Sequence, residues 1–160
     1  MPPTELGGPT TWVKSAEPLR DHYIPRMDWV DGRTLVLQNM NRLQNRNDVL
    51  LADVSTGESR ILLTETAPSW IDLAGDITWV NDGRQFIWMS ERDGYNHLYL
   101  YDRAGALVRQ LTEGRWEVMA LEGVDEDQDW AYFTAANPTP LAISWVLDDY
   151  VAQLAEAAGR

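Results

Sequence analysis

Arg26-Met27-Asp28-Trp29-Val30-Asp31-Gly32-Arg33 has a near copy further along the chain, Gly75-Asp76-Ile77-Thr78-Trp79-Val80-Asn81-Asp82-Gly83-Arg84. Trp29 and Trp79 are 50 residues apart, and the two Asp-Gly-Arg triplets are 51 apart. The copies also close alike. Asp53, Gly57 and Leu63-Thr64-Glu65 recur as Asp102, Gly105 and Leu111-Thr112-Glu113, at offsets of 48 or 49. A period of about 40–50 residues made of short strands and turns marks propeller blades, sheets that cannot bury their apolar faces alone. The expected fold class is all-β, a partial β-propeller of about two and a half four-stranded antiparallel blades.

Within each copy the pattern is strand, turn, strand. Ile24–Val30, a turn at Asp31-Gly32 and Thr34–Gln38 form one expected hairpin; Asp48–Asp53, Ser55-Thr56-Gly57 and Ser59–Leu63 form the next. The amides and arginines of the stretch from Asn39 to Asn47 read as a connection rather than a buried strand. The second copy predicts strands at Asp76–Val80, Gln85–Ser90, Asn96–Tyr101 and Ala106–Leu111. A third opens at Trp116–Val124 and continues at Asp129–Thr134. The boundaries expected are an irregular entry segment 1–22, blades over 23–65 and 74–114, a half-blade 116–138, and a tail 139–160. In that tail Thr139-Pro140 resembles a helix start, and Ile143, Val146, Leu147, Tyr150, Val151 and Leu154 follow at helical spacing. A C-terminal amphipathic helix over 140–158 is expected.

Composition narrows the function classes. Eight Trp and six Tyr against two Phe suit sheet faces that bury a ring while its polar edge is satisfied. With no cysteine there is no disulfide framework and no thiolate metal site. The net charge of -12 argues against nucleic acid as a partner. No apolar run reaches the ~18 residues of a membrane helix. The amino terminus lacks the basic-then-apolar pattern of a signal peptide.

The motifs of catalysis and cofactor binding are missing. None of the six serines lies in a Gly-x-Ser-x-Gly elbow, so no catalytic residue is assigned. His22 and His97 read as ordinary surface or packed histidines, and no metal site is assigned. Asp125-Glu126-Asp127-Gln128-Asp129 has acids at alternate positions, but Trp130 and Ala136 occupy the places where a calcium loop needs Gly and Glu. A hairpin turn is expected there. Neither a dinucleotide glycine motif nor a Walker loop occurs, and no cofactor is expected. Glu91-Arg92-Asp93-Gly94-Tyr95 either presents Arg92 to a partner or forms an ion pair within its blade around a glycine turn.

Tyr23-Ile24-Pro25-Arg26-Met27-Asp28-Trp29, Asn41-Arg42-Leu43-Gln44-Asn45, Leu63-Thr64-Glu65, Ser90-Glu91-Arg92-Asp93-Gly94-Tyr95, His97-Leu98-Tyr99-Leu100 and Trp130-Ala131-Tyr132-Phe133 occur in this order. In that order they resemble the later propeller blades of bacterial dipeptidyl peptidase IV-like enzymes, over about residues 10–138. The resemblance implies a serine peptidase of the prolyl oligopeptidase clan, in which an eight-bladed propeller caps a C-terminal α/β-hydrolase domain. Such enzymes release dipeptides, commonly Xaa-Pro, and in bacteria are often periplasmic or exported. The family's catalytic Ser, Asp and His and its ammonium-binding acidic pair have no matching positions here; the chain contains no Glu-Glu dipeptide. The resemblance also implies that Trp70, Asp72 and Leu73 line the extended substrate cavity; packing between blades by Trp70 and Leu73 is the competing reading.

Two function classes follow. One is the propeller portion of a dipeptidyl peptidase IV-like exopeptidase, controlling substrate access and positioning without catalysis of its own. Its partners would be a peptide substrate, the remaining blades and the hydrolase domain. The other is a non-enzymatic module that binds peptide or protein. Open blade edges would favour self-association in either case.

Overall fold

The computed structural model describes residues 10–14, 21–72, 77–127 and 129–136. The helix expected over 140–158 lies outside the described residues. The chain divides into two compact units, Met1–Glu65 and Thr66–Arg160.

The first unit holds a meander of β1 (His22–Trp29), β2 (Thr34–Asn41), β3 (Arg46–Asp53) and β4 (Ser59–Thr66), in the order β1-β2-β3-β4. All its strand pairs with a resolved register are antiparallel, with Leu37 opposite Leu50 and Val36 opposite Leu51. Because side chains alternate across a strand, those pairs occupy opposite faces, and all four residues are buried. Leu37, Leu50 and Ala52 form one cluster, joined by Leu35 and by Val13 from the entry segment. Lys14 donates its amide to the Gly57 carbonyl at 2.8 Å, and the Ser59 hydroxyl donates to the Lys14 carbonyl. Residues 10–14 therefore lie along the β3–β4 turn.

The connection expected between Asn39 and Asn47 shrinks to four residues, because β2 and β3 run through both ends of it. Gln38, Asn39, Asn47 and Asp48 are buried within the strands. Gln38, Asn47 and Asp48 find partners on other strands: Asn47 Nδ2 donates to Gln38 Oε1 at 3.0 Å, and Thr64 Oγ1 donates to Asp48 Oδ1 at 2.6 Å. Arg46 Nε lies 3.1 and 3.2 Å from the two Asp48 oxygens. These bonds offset part of the desolvation penalty that makes polar runs read as loops, although Asn39 Oδ1 and Asn47 Oδ1 are enclosed without a partner.

The second unit repeats the meander as β5 (Thr78–Val80), β6 (Gln85–Ser90), β7 (His97–Asp102) and β8 (Leu107–Gln110). It adds a hairpin of β9 (Glu117–Asp125) and β10 (Trp130–Ala136). Val80, Ile87, Leu98, Leu100 and Leu111 of the four-stranded sheet pack against Val118, Ala131 and Phe133 of the hairpin. Burying each large apolar side chain contributes roughly 1.5–3 kcal/mol, so this junction holds the unit together. Its polar clasp is Asn96, whose Nδ2 donates to the Val118 carbonyl at 2.7 Å while its own carbonyl accepts the Val118 amide at 2.8 Å. The turn beginning at Asp125 reaches back as well: Glu126 Oε2 accepts the Asn81 amide at 2.7 Å.

The other face of β5–β8 is aromatic. Trp79, Phe86 and Tyr101 are cross-strand neighbours with ring centroids 5.2 Å apart at each step. The expected satisfaction of polar ring edges fails at two places, since Trp79 Nε1 and the Tyr99 hydroxyl are enclosed without a hydrogen-bond partner.

The repeat is exact in topology and inexact in turn chemistry. Asp53 and Asp102 each donate their amide across a turn, to Glu58 and Ala106, and each accepts the amide of a positive-φ glycine, Gly57 or Gly105. Asp53 is anchored further by the Ser55 hydroxyl, Arg33 and the Ser55 amide, which hold its carboxyl well below the usual carboxylate range. The two Asp-Gly-Arg turns differ. Asp31 Oδ1 accepts the amides of Arg33 and Thr34, whereas Asn81, Asp82 and Gly83 all take positive φ in a reversal one residue longer.

Three substitutions test this account. Gly57 and Gly94 both have positive φ, but a Cβ on Gly57 would sit 2.1 Å from the Trp12 carbonyl oxygen, while one on Gly94 meets nothing within 4 Å. Gly94→Ala should lower the unfolding free energy by about 1–2 kcal/mol, from backbone strain alone. Gly57→Ala should lower it by about 3 kcal/mol or more, as read by urea denaturation; equal losses would remove the entry segment from the fold's core. His97 is wholly buried, between Thr112 Oγ1 at 2.9 Å, the Gly114 carbonyl at 3.1 Å and the edge of Trp116. The carbonyl can only accept, so Nε2 carries a proton and donates to it, while the Thr112 hydroxyl, which also takes the Leu98 amide, pairs with Nδ1. His97→Leu strands both partners and should destabilise the chain by about 2–3 kcal/mol; a loss below about 0.5 kcal/mol would show them rehydrated.

Candidate functional site

In a meander, the β2–β3 turn and the end of β4 lie at the same end of the sheet. In the first unit that end carries a hollow of about 470 Å³, lined by Asp21, His22, Asn41, Arg42, Leu43 and Arg46. The turn is rigid for a local reason. Asn41 Oδ1 accepts the amides of Asn45 and Arg46, Asn41 Nδ2 donates to Asn45 Oδ1 at 2.7 Å, and Gln44 takes a left-handed φ of 57°. The Arg42 amide donates to the Asp21 carbonyl at 3.0 Å, which ties the turn to the start of β1.

β4 ends at Thr66, and the connection that follows carries the residues assigned to the substrate cavity. Trp70 is 70% exposed and Asp72 is exposed; Leu73 lies outside the described residues. Among the described residues the indole of Trp70 therefore projects largely into solvent. The structure brings Trp70 and Asp72 into one exposed stretch, with no catalytic group placed between them.

In the second unit the β6–β7 turn resolves the two readings of Arg92 toward its own blade. Arg92 Nε donates to Ser90 Oγ at 2.9 Å and Nη1 donates to the Tyr101 hydroxyl at 2.5 Å. Its guanidinium lies 4.3 Å from the Tyr99 ring centroid, in cation–π contact. Gln110 Nε2 donates to Asp93 Oδ2 at 2.8 Å. Burial acts to raise the Asp93 carboxyl, and the Gln110 bond leads the groups that hold it below its ordinary value. Burial, and then the charge of Asp93, push the Tyr99 phenol up. The Tyr99 hydroxyl lies near enough to that carboxylate to feel its charge, without the geometry of a hydrogen bond. The signal for this cluster was the alternation Tyr99-Leu100-Tyr101, which puts both rings on one face; nothing local said that Arg92 would lie over them.

These polar clusters fasten the blades. Ser55 donates to Asp53, Ser59 donates to Lys14 and Ser90 accepts from Arg92, while His97 is held by Thr112 and Gly114. Among the described residues no three His, Asp or Glu side chains gather as a metal group.

Comparison with known proteins agrees with this architecture. The family model described as "Dipeptidyl peptidase IV (DPP IV) N-terminal region" matches residues 6–145. Dipeptidyl peptidase 4 of Trichophyton rubrum is 29% identical over 134 residues, 80% of this chain and 17% of that protein. The probable dipeptidyl peptidase 4 of Emericella nidulans is 26% identical over 121 residues, 68% of this chain and 16% of that protein. Among solved structures, Porphyromonas gingivalis dipeptidyl peptidase 4 superposes with a TM-score of 0.69 at 29% identity, covering 78% of this chain and 18% of that one. A putative dipeptidyl aminopeptidase IV from Bacteroides ovatus gives 0.65 at 30%, covering 72% and 19%. The chain thus spans less than a fifth of each of these relatives. With its antiparallel sheets of four, four and two strands, it is a piece of a β-propeller and belongs to the dipeptidyl peptidase IV N-terminal region family.

Proposed function

We propose that this chain supplies propeller blades to a dipeptidyl peptidase IV-like exopeptidase, where it limits access to the catalytic chamber and positions peptide substrate. The observation that carries the reading is the family match over residues 6–145, in a chain covering under a fifth of relatives named as dipeptidyl peptidases. The chemistry would lie elsewhere in the parent enzyme, because no nucleophile elbow occurs in this sequence. Trp70 and Asp72 would act on the substrate beyond its cleaved dipeptide, the indole as an apolar platform and the carboxylate as an acceptor for amides or cations.

Exposed apolar side chains favour completion by further blades. On the edge strand β1, Ile24, Met27 and Trp29 are exposed, and so are Met119, Trp130 and Tyr132 on the β9–β10 hairpin. Surfaces of this kind are where neighbouring sheets of a propeller pack, and in an isolated chain they favour self-association.

The isolated chain should turn over a chromogenic Xaa-Pro substrate no faster than buffer does. Turnover that survives purification and is abolished by a serine-directed inhibitor would overturn the non-catalytic reading. In the complete enzyme, Trp70→Ala should raise KM about 3–10-fold for peptides of four or more residues and leave kcat within about twofold, the pattern of lost uniform binding. Unchanged kinetics on long peptides would remove Trp70 from the substrate path.

A further inference from the structure

The hollow beside the β2–β3 turn has a mostly apolar lining into which two arginines, a histidine and an asparagine bring hydrogen-bond donors. Among the described residues the Arg42 guanidinium makes no hydrogen bond or ion pair, although its backbone is fixed through the Asp21 carbonyl. Arg46 contributes a second guanidinium, 47% exposed, which is tied to the nearly buried Asp48 through Nε. His22 lines the hollow as well, and its Nδ1 is closed off from solvent without a partner. Asn41 is held by its own turn, and Leu43, 76% exposed, supplies an apolar rim. One carboxylate, Asp21, borders the same space.

We propose that this hollow binds a carboxylate group of a peptide, with Arg42 as the principal cation, Arg46 and His22 as further donors and Leu43 as the contact for an adjacent apolar side chain. A planar guanidinium matches a carboxylate through two parallel N–H donors, a fit that a single ammonium group does not offer. The Asn41 turn holds Arg42 on its short loop and Arg46 at the start of β3, so little backbone ordering opposes binding. The chain's net charge of -12 acts against any anion. The affinity should therefore be modest, with a Kd on the order of 1–10 mM, and should weaken with salt. This site goes beyond the propeller reading above and stands on the geometry of the first unit alone.

The test is an amide ¹H–¹⁵N titration of the full 160-residue chain, at constant ionic strength made up with sodium chloride. Acetyl-leucine carries the carboxylate as a peptide terminus, and acetyl-aspartyl amide carries it as an acidic side chain. Saturable shifts confined to residues 21–22 and 41–46 are expected for at least one of them, and the tighter binder identifies the source of the carboxylate. Arg42→Gln should weaken that binding at least tenfold while the amides of β5–β10 keep their positions. Arg42→Lys, which keeps the charge, should weaken it by an intermediate amount and serves if Arg42→Gln misfolds. The absence of saturable shifts, equal binding by both Arg42 variants and the parent chain, or inorganic phosphate binding tenfold more tightly than either carboxylate would each overturn the proposal.

Discussion

A blade sheet buried on both faces needs something against each face, and that constraint governs this chain. In β6 and β7 almost every residue is buried: one face is apolar through Ile87, Leu98 and Leu100, the other aromatic through Phe86, Trp88, Tyr99 and Tyr101. The apolar face finds its cover in β9 and β10. Without that cover the sheet would present an apolar surface larger than a monomeric protein commonly tolerates. Asn96 makes the arrangement specific, because its amide and carbonyl lock onto one residue, Val118, and so fix where the hairpin sits along the sheet.

The interior is also wetter in chemistry than an apolar core. Buried Asn47, Gln38 and Asp48 in the first unit, and His97, Thr112 and Asn96 in the second, each have at least one internal partner. Removing one partner of such a pair leaves the other buried and unpaired, which penalises misregistered strands strongly. The polar pairs therefore select one register among several that would bury apolar side chains about equally well. The same logic accounts for the blade turns, where Asp53 and Asp102 each close a reversal through backbone bonds of one pattern.

Function enters through what the blades leave at their ends and edges. The β2–β3 turn carries a hollow bordered by Arg42 and Arg46, and the connection after β4 carries an exposed indole and carboxylate. Strands buried on both faces have few side chains left to offer a ligand, so the turns and connections hold them instead. The β6–β7 turn is the exception. There Arg92 is drawn back over Tyr99 and bonded to Tyr101, so the cation strengthens its own blade.

By itself the sequence determined the period, the strand-and-turn grammar and the family. Strand alternation and turn residues such as Asp-Gly act over a few neighbours and need no tertiary partner to be legible. It also excluded a nucleophile elbow and a phosphate loop, because those motifs are local. Only the tertiary structure decided that Asn39 and Asn47 belong to buried strands, that His97 is a packed structural residue, and that the two Asp-Gly-Arg triplets make different turns. The placing of Asn47 and His97 depends on a partner brought from elsewhere: Gln38 lies nine residues from Asn47, and Thr112 fifteen from His97. The hollow was illegible for the same reason, since Asp21 and His22 at the start of β1 meet Arg42 and Arg46 only after two strands have paired. Local spacing encodes which segments become strands and turns; pairing across strands decides which polar groups end up buried, fastened or free to meet a ligand.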